Sequence, residues 1–233
     1  MKIAIMGAMP EEIAPILEKL GSYTTVRYAG NNYYEATYKG VDLVVAYSKI
    51  GKVFSTLTAT IMIEHFGATK LLFSGVAGAI CPTLKIGDLI VASKLAQHDL
   101  DITAFGHPFG YVPEGSIFIE ADKEMIEMSK EVAASMGKSV REGVIATGDQ
   151  FIANEERKNW IGDTFGAHAL EMEGGSVAVV CHALNVPFFK LRAISDVADM
   201  DASFNFDTFL ETSAKESADF IMKMVQSIIE NAK

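Results

Sequence analysis

Three features of the 233-residue chain predict an α/β fold around one mixed sheet. Short runs of β-branched and apolar residues alternate with stretches of helical period, the order that builds a sheet covered by helices. Turn residues and helix caps punctuate the boundaries between them. No internal repeat, linker or biased segment divides the chain, so residues 1–233 read as one domain.

Lys2–Gly7 is a short apolar strand. Pro10 at a first helical position, with Glu11 and Glu12 in the first turn, opens a helix that stops at Gly21. Tyr23–Ala29 and Tyr33–Tyr38, separated by Gly30-Asn31-Asn32, predict a hairpin, and Val41–Tyr47 a further strand. Val53–Phe66 has helical period and ends at Gly67. Lys70–Ser74 and Asp88–Ala92 are strands. Asp122 caps a helix through Met136, Val140–Ala146 is a strand, and Asn154 with Glu155 and Glu156 starts the next helix. Ala169–Met172 is a short strand leading into an apolar helix, Gly174–Leu184. Pro187–Ile194 has the composition of a strand buried on both faces. Phe206–Ile229 is a long amphipathic helix. The hairpin and the strands between Asp88 and Asp101 add antiparallel parts to the sheet.

Composition excludes several function classes. Thirty acidic residues against 20 basic ones give a net charge of −10, so nucleic acid and anionic membrane surfaces, which need clustered cations, are poor partners. Hydrophobic residues make up 49% of the chain and mean hydropathy is +0.21. Yet the longest uncharged stretch, Gly174–Phe189, holds His182, Asn185 and Pro187 and falls short of the ~18 apolar residues of a membrane span. The apolar excess must therefore fill a core, an interface or a pocket. Met1–Pro10 is too short for a signal sequence and runs into Glu11 and Glu12, which suits a buried first strand. Cys81 and Cys181 form no C-x-x-C pair, a pattern that fits a reducing cytoplasm and neither a zinc site nor a redox motif.

Chemistry in such sheets sits at the carboxyl ends of the strands. There the chain carries Glu11 and Glu12, the turn Gly75–Gly78, Asp149, Glu171 and Glu173, and Ser195 with Asp196. Acids gathered at one sheet edge form a candidate acid/base site and suggest hydrolysis by paired carboxylates, as in glycoside cleavage. Each also has a plainer reading. Glu11 and Glu12 suit a helix N-terminus, Asp196 suits a turn cap, and Gly75–Gly78 suits a structural turn. Glu171 and Glu173 alternate along a strand end, which sends one to solvent and one to the site. There is no G-x-G-x-x-G and no Walker lysine for a nucleotide phosphate, and no G-x-S-x-G for a serine hydrolase. His98, Asp99 and Asp101 would make a metal site only with a second histidine cluster. Cys181 and His182 are adjacent on a helix and do not face each other.

The ordered segments G-A-M-P-E-E (7–12), S-G-V-A-G (74–78), D-I-T-A-F-G-H (101–107), T-G-D-Q-F-I (147–152), A-L-E-M-E-G (169–174) and R-A-I-S-D-V-A-D (192–199) resemble the 5′-methylthioadenosine/S-adenosylhomocysteine nucleosidase family over nearly the whole chain. The resemblance implies a three-layer α/β/α nucleoside phosphorylase-like fold with a central mixed sheet, a homodimer with a shared active site, a small nucleoside substrate and no cofactor or metal. It also implies a cytoplasmic enzyme of methionine salvage. The S-G-V-A-G and Y-S-K-I-G-K (47–52) segments look like ε-proteobacterial forms, which implies a further action on 6-amino-6-deoxyfutalosine in menaquinone synthesis.

By the same resemblance, Glu12 matches the base that activates water, and Asp196 the acid at adenine N7, oriented by Ser195. Glu173 would accept from the ribose hydroxyls with Arg192 beside it, above Met172. Phe151 would stack on adenine while the Ile152 backbone reads its edge. Met9, Ile50 and Phe206 would line the 5′ pocket, and Phe105, His107 and Pro113 would come from the partner subunit. Val76 stands where many members carry a water-contacting Ser. Two alternatives remain at this level. A nucleoside phosphorylase would need cations beside the anomeric carbon, where Glu11 and Glu12 repel phosphate. A non-catalytic nucleoside-binding relative would have lost Glu12 or Asp196.

Overall fold

The computed structural model describes residues 1–199 and 201–232. Its elements run β1 (Lys2–Gly7), α1 (Pro10–Leu20), β2 (Thr24–Tyr28), β3 (Asn31–Tyr38), β4 (Val41–Tyr47), α2 (Lys52–Glu64), β5 (Lys70–Phe73), β6 (Val76–Ala79) and β7 (Leu89–Gln97). A 3-10 turn at Thr103–Phe105 precedes β8 (Phe118–Glu120), α3 (Lys123–Ser135), β9 (Val140–Thr147), α4 (Glu155–Phe165), β10 (Ala167–Glu171), α5 (Gly174–Ala183), β11 (Phe188–Asp196) and α6 (Ala202–Asn231).

The strands join in the order β2-β3-β4-β1-β5-β11-β6-β10-β9-β7-β8, an α/β fold on one mixed sheet. β1 pairs in parallel with β4 and β5, and β11 in parallel with β5 and β6. A further antiparallel pairing of β11 with β7, Leu191 opposite Val91, closes β11, β6, β10, β9 and β7 into a ring. All nine residues of β11 are buried, as a strand at the junction of both halves of the sheet must be. Helices α1, α3 and α6 pack together on the sheet, α2 packs on α5, and α4 covers β9 and β10. The core runs from Ile3, Ile5 and Leu43 through Leu72 and Phe73 to Phe189, Leu191 and the inner face of α6. Each such side chain contributes about 1.5–3 kcal/mol by leaving water.

The departures from the sequence reading have local causes. The hairpin turns on Ala29-Gly30 rather than Gly30-Asn31-Asn32. Both turn residues have positive φ, 46° and 75°, and Tyr28 pairs directly with Asn31. That mirror-image turn matches the twist of the strands, and it returns both asparagines to β3. β6 has the sequence V-A-G-A, whose small residues signal a turn. It is a strand because neighbours on both sides, β11 and β10, supply its ladder. β7 extends to Gln97 instead of ending at Ala92, across an irregularity between Ala92 and Lys94. β8 pairs with β7 over only three residues and leaves little periodicity to read. α6 begins at Ala202, ahead of Phe206.

Candidate active site

The strand ends converge as the chain order requires. Those of β1, β6, β10 and β11, with the loops after β4 and β9, surround one cavity of about 270 Å3. Glu12, Glu173 and Asp196 all line it, with Ser195 and Val76. Met9, Ile50, Met172, Phe151, Ile152 and Phe206 supply its apolar wall. Phe151 and Phe206 meet edge to face, with ring centroids 5.8 Å apart.

Glu12 serves two ends at once. It is the third residue of α1, and its Oε2 accepts from the Ala8 N–H at 2.5 Å and the Met9 N–H at 3.1 Å. Its Oε1 accepts from the Val76 N–H at 3.0 Å and lies 3.5 Å from Arg192 Nη1. Glu12 therefore caps the helix start and lines the cavity at once, and the cap is what aims the carboxylate into the cavity.

Behind the cavity wall lies a buried charge cluster. Arg192 is 1% exposed and does not line the cavity. It acts through carboxylates, with Nη2 donating to Glu171 Oε2 at 2.6 Å and to Glu173 Oε2 at 3.2 Å, and Nη1 donating to the Ser74 carbonyl. Gly75 makes this possible. Its φ of +154° and missing side chain leave the space that the Arg192 guanidinium and the Glu12 carboxylate occupy. Glu171 and Glu173 do not divide between solvent and site as their alternation predicts. The chain leaves β10 at Glu171 and turns into α5, so both are buried and both reach Arg192. Glu171 also accepts from Thr147, Lys190 and the Gly174 N–H. Burial opposes ionisation of Glu171, but Lys190 and Arg192 outweigh it and hold the group well below the usual carboxylate range. Glu173 Oε1 accepts from the Gly51 N–H at 2.9 Å, at the start of α2. Burial and the adjacent Glu171 push Glu173 up to about 7.

Asp196 ends β11. Its Oδ2 accepts from Ser195 Oγ at 2.9 Å and its Oδ1 from the Ala198 N–H at 2.9 Å. The second bond is the turn cap that the plainer reading anticipated. Burial raises its pKa above that of a solvated aspartate.

Phe105, His107 and Pro113 lie outside the cavity of their own chain, on the segment between β7 and β8. Phe105 is 80% exposed. The sequence reading missed Gln150 and Leu170 as lining residues, and its family-derived roles left out Glu171, which the strand-end reading names. It also missed Lys190, whose signal was a lysine, with Arg192, in a strand otherwise apolar over Pro187–Ile194. The metal candidates disperse. His98 is buried with neither ring nitrogen partnered, and burial lowers it to about 4. Asp99 pairs with Lys52, and Asp101 caps Thr103. Among the described residues, no group of three His, Cys, Asp or Glu side chains is placed to hold a metal ion.

Residues 2–229 match the phosphorylase superfamily. An aminodeoxyfutalosine nucleosidase of Campylobacter jejuni is 58% identical over 228 residues, covering 98% of this chain and all of that protein. A 5′-methylthioadenosine/S-adenosylhomocysteine nucleosidase of Anoxybacillus flavithermus is 36% identical over 98% of this chain and 99% of its own length. A mutant MTAN of Helicobacter pylori, solved with 5′-methylthioadenosine in the active site, superposes with a TM-score of 0.96 at 50% identity, over 97% of this chain and 98% of that one.

Proposed function

The chain belongs to the phosphorylase superfamily, and on that premise we propose how it works as a purine N-ribosyl hydrolase of 5′-substituted adenosines, aminodeoxyfutalosine among them. The observation that carries the reading is the placing of three buried carboxylates, Glu12, Glu173 and Asp196, around one apolar cavity.

Breaking the C1′–N9 bond leaves positive charge on the ribose and sends the bonding electron pair to adenine. Glu12 takes a proton from water as the water oxygen bonds to C1′. Asp196, whose pKa burial raises, is the group that delivers a proton to adenine N7 and neutralises the departing base. Glu173 accepts from the ribose hydroxyls and, with Glu12, stabilises the cationic sugar. Arg192 holds both carboxylates in place from behind. Phe151 stacks on the base, the Ile152 backbone reads its edge, and Met172 supports the ribose. Met9, Ile50 and Phe206 receive the 5′ substituent. Val76 offers its backbone N–H to Glu12 and an apolar side chain to the cavity.

Phosphorolysis fits this site poorly, because no Lys or Arg lines the cavity among the described residues and the carboxylates repel phosphate. Incubation with methylthioadenosine, with and without phosphate, tests the reading. Adenine and the free sugar are expected in both cases. A sugar 1-phosphate, or no adenine, overturns it.

Residues 1–233 act as one domain, and the working enzyme is a homodimer. α2 exposes Val53 (76%), Phe54 and Leu57 beside Val179 of α5, an apolar surface suited to a second copy. Phe105, His107 and Pro113 then complete the partner's 5′ pocket. The free thiols Cys81 and Cys181 suit the cytoplasm. Among the described residues, no helix is long and apolar enough to cross a membrane.

A further inference from the structure

We propose that Lys190 is a positioning residue for this hydrolysis: its ammonium binds the Glu171 oxygen that Arg192 also binds, and supplies the second buried cation that lets Glu173 meet the ribose as a carboxylate. The inference rests on the hydrolase reading and deepens it.

Lys190 lies on β11, opposite Phe73 of β5, and is 0% exposed. Its Nζ stands 2.8 Å from Glu171 Oε2, the atom that Arg192 Nη2 reaches at 2.6 Å. The ammonium also sits 3.4 Å from the centre of the Phe73 ring. Space has been left for it. A Cβ on Gly174 would stand 2.8 Å from Lys190 Cε and 2.9 Å from its Nζ.

Stability does not account for this lysine. A whole buried ion pair replaced by apolar groups of similar volume is often neutral or stabilising, so the fold itself has no need of a charged Lys190–Glu171 pair here. The charge count of the cluster does account for it. Three carboxylates, Glu12 from α1, Glu171 from β10 and Glu173 at the start of α5, surround Arg192. With Arg192 alone, one cation would face three anions. Lys190 makes it two against three, and its charge favours ionised Glu173. The groups facing Lys190 are Glu171, Glu173, Arg192 on its own strand and the Phe73 ring, and burial brings the lysine down to about 7. Glu173 and Lys190 thus both titrate near neutral pH, where loss of one charge is felt by the other.

The test compares the full chain with Lys190→Met and Lys190→Gln, measuring kcat and KM for methylthioadenosine across pH 5–9 together with melting temperature. Both variants should fold but melt lower than the unaltered protein, because each leaves Glu171 buried with one cation instead of two. The acid limb of kcat/KM should move up by about one pH unit in both, carried by KM, because an opposite charge has been lost beside Glu173. That is about a tenfold loss on the acid side, with the curves converging at high pH, where the native lysine is also neutral. An acid limb unmoved in both variants overturns the proposal while adenine release keeps the hydrolase reading. A uniform loss at every pH, or failure of both variants to fold, assigns Lys190 to structure and overturns the proposal as well. No adenine release from the unaltered protein overturns the hydrolase reading itself.

Discussion

Asp196→Asn separates proton delivery from every other role of that position. The substitution is isosteric and opens no cavity. Asn keeps an oxygen for the Ala198 N–H, now at 2.9 Å from Oδ1, and turns its amide toward Ser195 Oγ. The Ser195 hydroxyl then has the Ala77 carbonyl, 3.4 Å away, as its acceptor. What is lost is the acidic proton for adenine N7. General-acid help is worth about 10²–10⁴-fold, or about 3–5 kcal/mol of barrier, so kcat should fall at least ~100-fold. Stability should move the other way. Burial raises the folded-state pKa of Asp196, so its contribution is fully present below the unfolded value and is lost as pH rises through the folded one. At pH 8 the variant, freed of a buried anion, should melt no lower than the parent. The assay is adenine release across pH 6–9, with melting curves alongside. The alkaline limb that reports a protonated Asp196 should disappear. Turnover within about tenfold of the parent in a folded variant, or an unchanged alkaline limb, would remove Asp196 from acid catalysis.

Two further outcomes follow from single contacts. Gly75→Ala drives a methyl into Arg192 and Glu12 and should cost about 3–5 kcal/mol in urea unfolding, the range for breaking a buried ion pair; a cost near 1 kcal/mol would mean that the cluster can relax around it. His98, held near 4 by burial, contributes stability that is present above its ordinary 6.5 and is lost as pH falls from there through about 4. Unfolding free energy should drop by about 3 kcal/mol over that window, and His98→Leu should flatten the drop. Parallel pH curves for the two proteins would contradict this.

The sequence carried the alternation of strands and helices, because β1, β4 and β11 are apolar enough to be read without context. The strand ends put Glu12 and Asp196 among several candidate acids, the family resemblance singled the two out, and both line the cavity. What the sequence could not carry depends on neighbours. V-A-G-A becomes a strand only between β11 and β10, and the ring closed by β7 and β11 has no local signature. The fate of Glu171 turned on one backbone bend after β10, which period-2 reasoning cannot see. Arg192 was placed beside Glu173, but only the packing shows that it touches three carboxylates and no cavity.

β11 is the last strand of the chain, yet it sits between β5 and β6, which follow each other directly in sequence. During synthesis the two must stand apart, with open edges, until residues 188–196 emerge. Unpaired edges of this kind invite association with other chains, and pairing across so long an interval is slow. The same strand brings Lys190, Arg192, Ser195 and Asp196. Closing the sheet and assembling the proposed site are therefore one event, and on that reading no shorter nascent chain is active while it is still exposed to misfolding.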